Sequence, residues 1–250
     1  MCNIDTYINS DGVSFGWNGE VKCKLIDDDK GEDIELEVFR AKLLVRSCGP
    51  TASRVITSYF KTTDIRKDTK VYGVYKVVRG RDNTCADNGD SKWGECYPDG
   101  EVSGATDGSQ VLVAFEESMK DLKGRVGGGD LEMKAFRPNV VLGGGEKWDE
   151  DRVRTLHFKE GELWGRKLCH RCVMCTVDEG KGEWGGFRKG FEPLKTMRTF
   201  RCAKDERYGD SPIFGLNCGG KGVIRMEDYK CRGRIGDSNL GRLNIAEGYK

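Results

Sequence analysis

Apolar and polar positions alternate at Ile34, Leu36 and Val38, with Glu35 and Glu37 between them, which predicts a half-buried strand. Ala52, Val55, Ile56, Tyr59 and Phe60 recur at three- and four-residue spacing, the clearest amphipathic helix in the chain. Thr51, after Gly49-Pro50, is its expected cap. Val71 to Val78 reads as a strand, and Val111-Leu112-Val113-Ala114-Phe115 as a short buried one. Ser118 and Asp121 have capping-box spacing, and Met119, Leu122 and Val126 line one face of a short helix that stops at Gly127-Gly128-Gly129. Val140-Val141-Leu142 is a strand stopped by a second glycine triplet. Val153 to Phe158 pairs with Glu162 to Trp164 as a hairpin, and Cys172 to Val177 reads as β-like. Residues 1–33 show no sustained period, and Asp27-Asp28-Asp29 reads as a solvated turn. The chain thus divides into a β region over 1–78, a polar surface loop over 79–109, a β core over 110–230 and an unassigned tail over 231–250. Short strands with only about two helices predict a mainly-β fold, a barrel or rolled sheet with a few peripheral helices, and not alternating βαβ units.

Composition agrees. Gly makes up 35 of 250 residues and Pro only 5, so turns are frequent and φ freedom is widely used. Lys+Arg at 42 balance Asp+Glu at 41 for a net charge of +1, which gives no bulk electrostatic reason to expect nucleic acid as a partner. No apolar run approaches the roughly 20 residues of a membrane span. The first residues lack the charged and apolar regions of a signal peptide. With an odd count of 11 cysteines, a reducing, cytoplasmic setting with free thiols is the expectation. No GxGxxG stands between a strand and a helix, so the glycine triplets read as turns and not phosphate loops.

One cluster stands out: Cys169-His170-Arg171-Cys172-Val173-Met174-Cys175. In an extended backbone Cys169 and Arg171 share one face, and His170 and Cys172 the other. In a tight knuckle two thiols converge, but a zinc ribbon needs a second ligand pair, and His157, Cys202 and Cys218 are isolated. The ferredoxin-like run lacks its fourth thiolate, with Glu179 near the expected place. A single thiolate beside Arg171 suits a soft metal that brings its other ligands with it. The remaining reading is three core cysteines.

Phe136-Arg137-Pro138-Asn139-Val140-Val141, Trp148-Asp149-Glu150-Asp151, Cys169-His170-Arg171-Cys172, Thr176-Val177-Asp178 and Glu192-Pro193-Leu194-Lys195-Thr196 follow one another, with Arg201, Phe214-Gly215 and Asn217 after them. This series resembles the MOSC domain of molybdenum-cofactor proteins, most specifically over 131–218, and in particular the amidoxime-reducing component group. The resemblance implies a β-barrel holding molybdenum bound to molybdopterin. It implies Cys172 as metal ligand and catalytic centre. It places Arg137, Asn139, His170 and Arg171 against the pterin or its phosphate. Ser118 at a helix N-terminus is an expected anion contact, and Thr176 an expected hydrogen-bond partner of the cofactor. Glu192-Pro193-Leu194 and Arg201 read as structural or one layer removed. The family's upstream Lys-Ser pair and a further Arg are expected before about residue 20, which this chain starts too late to hold, so weaker cofactor binding is expected. Cys175 stands where the family has Thr.

The activity so implied is two-electron, two-proton reduction of small N-hydroxylated substrates such as amidoximes and hydroxylamines. The chain has no flavin fingerprint and no CxxCH, so electrons are expected from a cytochrome b5-type donor served by a flavin reductase. The alternative is a carrier of the cofactor or its sulfur, as in the corresponding part of molybdenum-cofactor sulfurase. The chain is too short for that protein's pyridoxal-phosphate domain. An inactive MOSC remnant is the third reading. Related eukaryotic proteins carry a mitochondrial membrane anchor, for which this chain shows no segment.

Overall fold

The computed structural model describes residues 4–10, 12–25, 33–38, 41–63, 73–77, 109–127, 129–178, 188–203 and 205–224. The chain divides into two compact units, Met1–Thr84 and Cys85–Lys250. The acidic turn at 27–29, nearly all of the loop at 79–109 and the tail at 231–250 lie outside the described residues.

In the first unit, β1 (Asp5–Asn9), β2 (Gly12–Trp17) and β3 (Glu20–Leu25) form an antiparallel meander in the stretch that showed no period. Its inward side chains are few. Phe15 and Cys23 are buried, while Ile8, Val13 and Val21 are exposed, so the apolar signal is split between faces. β4 (Asp33–Val38), β5 (Ala41–Ser47) and β6 (Tyr75–Val77) form a second sheet, with β4 where the alternation placed it. Of the strand expected over 71–78, the described part pairs only over Tyr75–Val77.

α1 (Pro50–Thr63) lies between β5 and β6 in the chain, and its expected cap moves. Thr51 lies inside the helix, because Pro50 occupies the first turn, where its missing N–H costs nothing. Ala52 and the half-buried Val55 and Ile56 pack with Phe15 and Cys23, and Tyr59 lies 4.7 Å from the Trp17 ring.

The second unit is built on one five-stranded sheet in the order β8-β7-β11-β10-β9. Its strands are β7 (Val111–Phe115), β8 (Val140–Leu142), β9 (Thr155–His157), β10 (Glu160–His170) and β11 (Ile213–Val223). β7 and β8 are parallel and the other pairs antiparallel. β7 is apolar throughout because both its faces are covered. Val113 and Phe115 join a cluster with Leu156, Leu163, Leu168, Ile213 and Leu216. Ala114 joins the opposite cluster with Leu122, Leu131, Phe136, Met197 and Phe214. The β9–β10 hairpin lies where expected, and with three α-helices among the described residues the mainly-β expectation holds.

Two expectations are corrected. α2 (Glu116–Val126) has Phe115 at its N-cap, with no side-chain cap, so Ser118 and Asp121 make no capping box. Asp121 instead bonds Arg125, Lys147 and the Trp148 indole N–H. The predicted stop is correct: Gly127 is left-handed (φ 89°) and closes the helix. The segment over Cys172 to Val177 is not a strand, since Val173–Thr176 is a 3₁₀ turn. β11 is the central strand of its sheet, and Ile213 to Gly219 is buried without interruption.

Candidate functional site

β10 delivers the cysteine run to the edge of its ladder. Cys169 and His170 are its last residues, and the Arg171 N–H donates to the Pro212 carbonyl at 2.8 Å. Cys172 is extended (φ −100°, ψ 179°) and opens the turn Val173–Thr176. The Cys175 N–H donates to the Cys172 carbonyl at 3.4 Å, and Cys175 Sγ donates to the same oxygen at 3.2 Å. The three thiols therefore differ: Cys172 is exposed, Cys169 half-buried and Cys175 buried. Burial pushes the Cys175 thiol up to about 11, with Arg171 pulling the other way.

Arg171 ties this run to a second element. Its Nη1 donates to Cys169 Sγ at 3.0 Å, the shared face expected of an extended chain. Its Nη2 donates to the Phe136 carbonyl at 2.8 Å, and the guanidinium lies over the Phe136 ring at 5.4 Å. Nε is buried without a hydrogen-bond partner. Phe136 ends the 3₁₀ turn Met133–Phe136 and stacks on Phe214 at 3.9 Å. Arg137 follows it in the left-handed region (φ 54°), with its side chain exposed. The structure thus brings Arg137, His170, Arg171 and Cys172 to the neighbourhood where β10 ends, β11 begins and the Phe136 turn packs.

The other expected residues are placed differently. Asn139 is exposed, but its N–H donates to the Leu112 carbonyl and its Oδ1 accepts from the Leu112 N–H, both at 2.8 Å. This two-bond clip starts the parallel pairing of β7 with β8 and leaves only the side-chain NH₂ for other work. Ser118 is fully buried in the first turn of α2, where its Oγ accepts from the Trp148 N–H at 2.8 Å and donates to Glu150 Oε2 at 2.6 Å. Glu116 and Glu117 already sit at that helix end, and Glu117 Oε1 accepts from the Gly144 N–H at 3.1 Å. Thr176 is also fully buried, and its Oγ1 donates to the Val173 carbonyl at 2.6 Å. All three side chains are engaged in hydrogen bonds that hold the fold together.

Arg188 escaped the sequence reading. It is buried, and its N–H donates to the Thr176 carbonyl at 2.7 Å. Its Nη1 donates to the Val177 carbonyl at 2.6 Å and the Cys175 carbonyl at 3.4 Å, clamping the turn that carries the thiols. Nothing in its sequence setting, Gly186-Phe187-Arg188-Lys189-Gly190, signals this. Arg201 proves structural, as expected: it forms a bidentate pair with Asp151 at 2.6 and 2.7 Å and covers the Trp148 ring at 4.2 Å.

Among the described residues no three His, Cys, Asp or Glu side chains come together to hold a metal ion. What the strand end presents is one exposed thiol, flanked by guanidinium groups and an exposed imidazole. The fold and this site define a β-sheet protein with one exposed thiol at the end of a strand. The chain belongs to the MOSC domain family, whose family model matches residues 99–229. It is 31% identical over 197 residues to mitochondrial amidoxime reducing component 2 of Bos taurus, covering 77% of this chain and 53% of that protein. It is 33% identical over 175 residues to mitochondrial amidoxime-reducing component 1 of Homo sapiens, covering 68% and 47%. Over 105 residues it is 32% identical to molybdenum cofactor sulfurase of Arabidopsis thaliana, covering 38% of this chain and 12% of that protein. The chain spans about half the length of the amidoxime-reducing relatives. Among the described residues no helix is long and apolar enough to cross a membrane.

Proposed function

We propose that this protein binds a molybdenum cofactor through Cys172 and reduces small N-hydroxylated compounds such as amidoximes. The observation that carries this reading is the exposure of Cys172, alone among the three thiols of its run, at a turn fixed by its neighbours. A site with one soft donor fits a metal that arrives with its other ligands on an organic chelate. The buried, unpartnered Nε of Arg171 is a donor available to such a group. The names of the relatives, amidoxime reducing components and a molybdenum cofactor sulfurase, point the same way.

When bound, the cofactor supplies the two-electron chemistry. The chain's own residues bind and orient it. Cys172 supplies the protein ligand. Arg137, His170 and Arg171 hold the anionic and polar edges of the pterin, since an arginine fork matches phosphate geometry. Thr176 and Arg188 keep the thiol turn in place, and Asn139 fastens the segment that follows Arg137. A cytochrome b5-type protein with its flavin reductase is the proposed electron source.

The test is reduction of benzamidoxime by the purified, cofactor-loaded protein with a chemically reduced viologen as donor. Turnover that disappears in Cys172→Ala is the expected result. The similarity to the sulfurase favours a second reading, a cofactor carrier. Bound molybdenum without any turnover would select that reading over the reductase.

A further inference from the structure

The cofactor reading uses Cys172 and leaves Cys175 without a role. Cys175 is 1% exposed and lies in the cluster with Phe136, Met197 and Phe214. Its sulfur nevertheless turns back within the run, 3.2 Å from the carbonyl oxygen of residue 172. The bond from the Cys175 N–H to that oxygen closes a four-residue turn, which brings the two Cα atoms within about 7 Å of each other. That separation lies at the upper end of what a disulfide spans.

We propose that Cys172 and Cys175 form a reversible redox modification site, a CxxC pair that takes low-molecular-weight disulfides such as oxidised glutathione. This deepens the cofactor reading, because the same sulfur cannot ligate a metal while it is bonded to Cys175. The order of events follows from exposure. The Cys172 thiolate attacks one sulfur of the small disulfide, whose S–S bond breaks. One small thiol leaves, carrying the proton lost by Cys172. The Cys175 thiol then loses its proton and attacks the Cys172 sulfur, releasing the second small thiol and forming the intrachain bond. Two protein thiols are oxidised and one small disulfide is reduced, so electrons and protons balance. Cys169 competes poorly as the resolving thiol. The backbone runs extended from residue 169 to residue 172, which sets those two Cα atoms about 10 Å apart, beyond the reach of a disulfide.

The experiment treats the full-length chain with oxidised glutathione, blocks the remaining thiols and maps the cysteines by peptide mass. The wild type is expected to lose the thiols of 172 and 175 together, as a cross-link that dithiothreitol reverses. Cys175→Ser is expected to accumulate a glutathione adduct on Cys172 instead, at least tenfold above wild type, and Cys169→Ser to behave as wild type. Cys175→Ala serves as a second variant should a serine hydroxyl perturb the core. A cross-link between 169 and 172, or a Cys172 adduct equally abundant in wild type and both Cys175 variants, overturns the proposal. Molybdenum content is read separately on untreated protein. Loss of metal binding with an intact cross-link would therefore sink the cofactor reading and leave the redox pair standing.

Discussion

A buried carboxyl with only one oxygen satisfied is costly to ionise, and Glu150 is such a group. It is 0% exposed, Oε2 accepts from Ser118, and Oε1 has no hydrogen-bond partner. Burial raises its pKa above the ordinary 4.5. The Ser118 bond opposes that rise, and the charge of Asp151 adds to it while that of Arg201 subtracts. The folded state therefore binds this proton more tightly than the unfolded state. Stability falls as pH rises from the ordinary value to the folded one and is flat above it. Glu150→Gln keeps the acceptor for Ser118 and removes the titration. Thermal unfolding should show the variant gaining on wild type as pH rises through and above the ordinary carboxylate range. A constant offset across that range would mean that Glu150 ionises as freely folded as unfolded. Its neighbours Arg201 and Asp151 are a different case, a buried pair at 2.6 and 2.7 Å. Arg201→Met strands the Asp151 carboxylate and should cost about 3 kcal/mol or more in denaturant titration. Adding Asp151→Leu should recover most of it, and no recovery would place the cost in Arg201 packing over Trp148. These residues were legible in sequence only as members of an ordered series. What they do, fastening the Trp148–Asp151 turn to α2 and to the start of β11, depends on long-range partners that no spacing reveals.

Elements that bury one face, or two fully apolar ones, announced themselves: β4, α1, β7, β8 and the helical face of α2. Two others did not. β11 carries Gly215, Gly219, Gly220 and Gly222, residues that weaken a strand signal, yet it lies in the middle of its sheet. Gly215 is left-handed (φ 82°), and a Cβ there would sit 2.8 Å from the Val113 carbonyl oxygen on β7. The glycine is thus a condition for close strand approach beside the irregular pairing of Leu168 and His170. Gly215→Ala should lower stability by about 2 kcal/mol or more, combining the left-handed penalty with the carbonyl contact. A melting temperature unchanged from wild type would contradict that. The thiol run was the other surprise. Val173 and Met174 gave it a β-like look, but both are exposed, and the segment folds into a 3₁₀ turn because Arg188 and the Cys172 carbonyl supply its bonds. The expected partition of thiols by strand alternation holds for Cys169 and Arg171 and ends at residue 172.

At the scale of the molecule, the MOSC resemblance read from the ordered motifs agrees with the family match. The motifs serve two purposes that the sequence does not separate. Phe136, Asp151, Glu192, Arg201 and Phe214 are fasteners, and Glu192 Oε2, for example, accepts from the Thr196 N–H at 3.1 Å to begin α3 (Leu194–Arg198). Arg137, His170, Arg171 and Cys172 are the part that faces outward or touches the thiols. The sequence made that cluster legible as a candidate site, whereas the burial of Ser118 and Thr176 is disclosed only by the packed fold. The central claim is that one sulfur holds the metal. Its most direct measurement is molybdenum per chain in protein produced with an intact cofactor supply, by mass spectrometry of the metal. The account predicts metal in the wild type and in Cys169→Ser, and its loss in Cys172→Ala. Equal metal in wild type and Cys172→Ala, or equal loss in Cys169→Ser and Cys172→Ala, would contradict it.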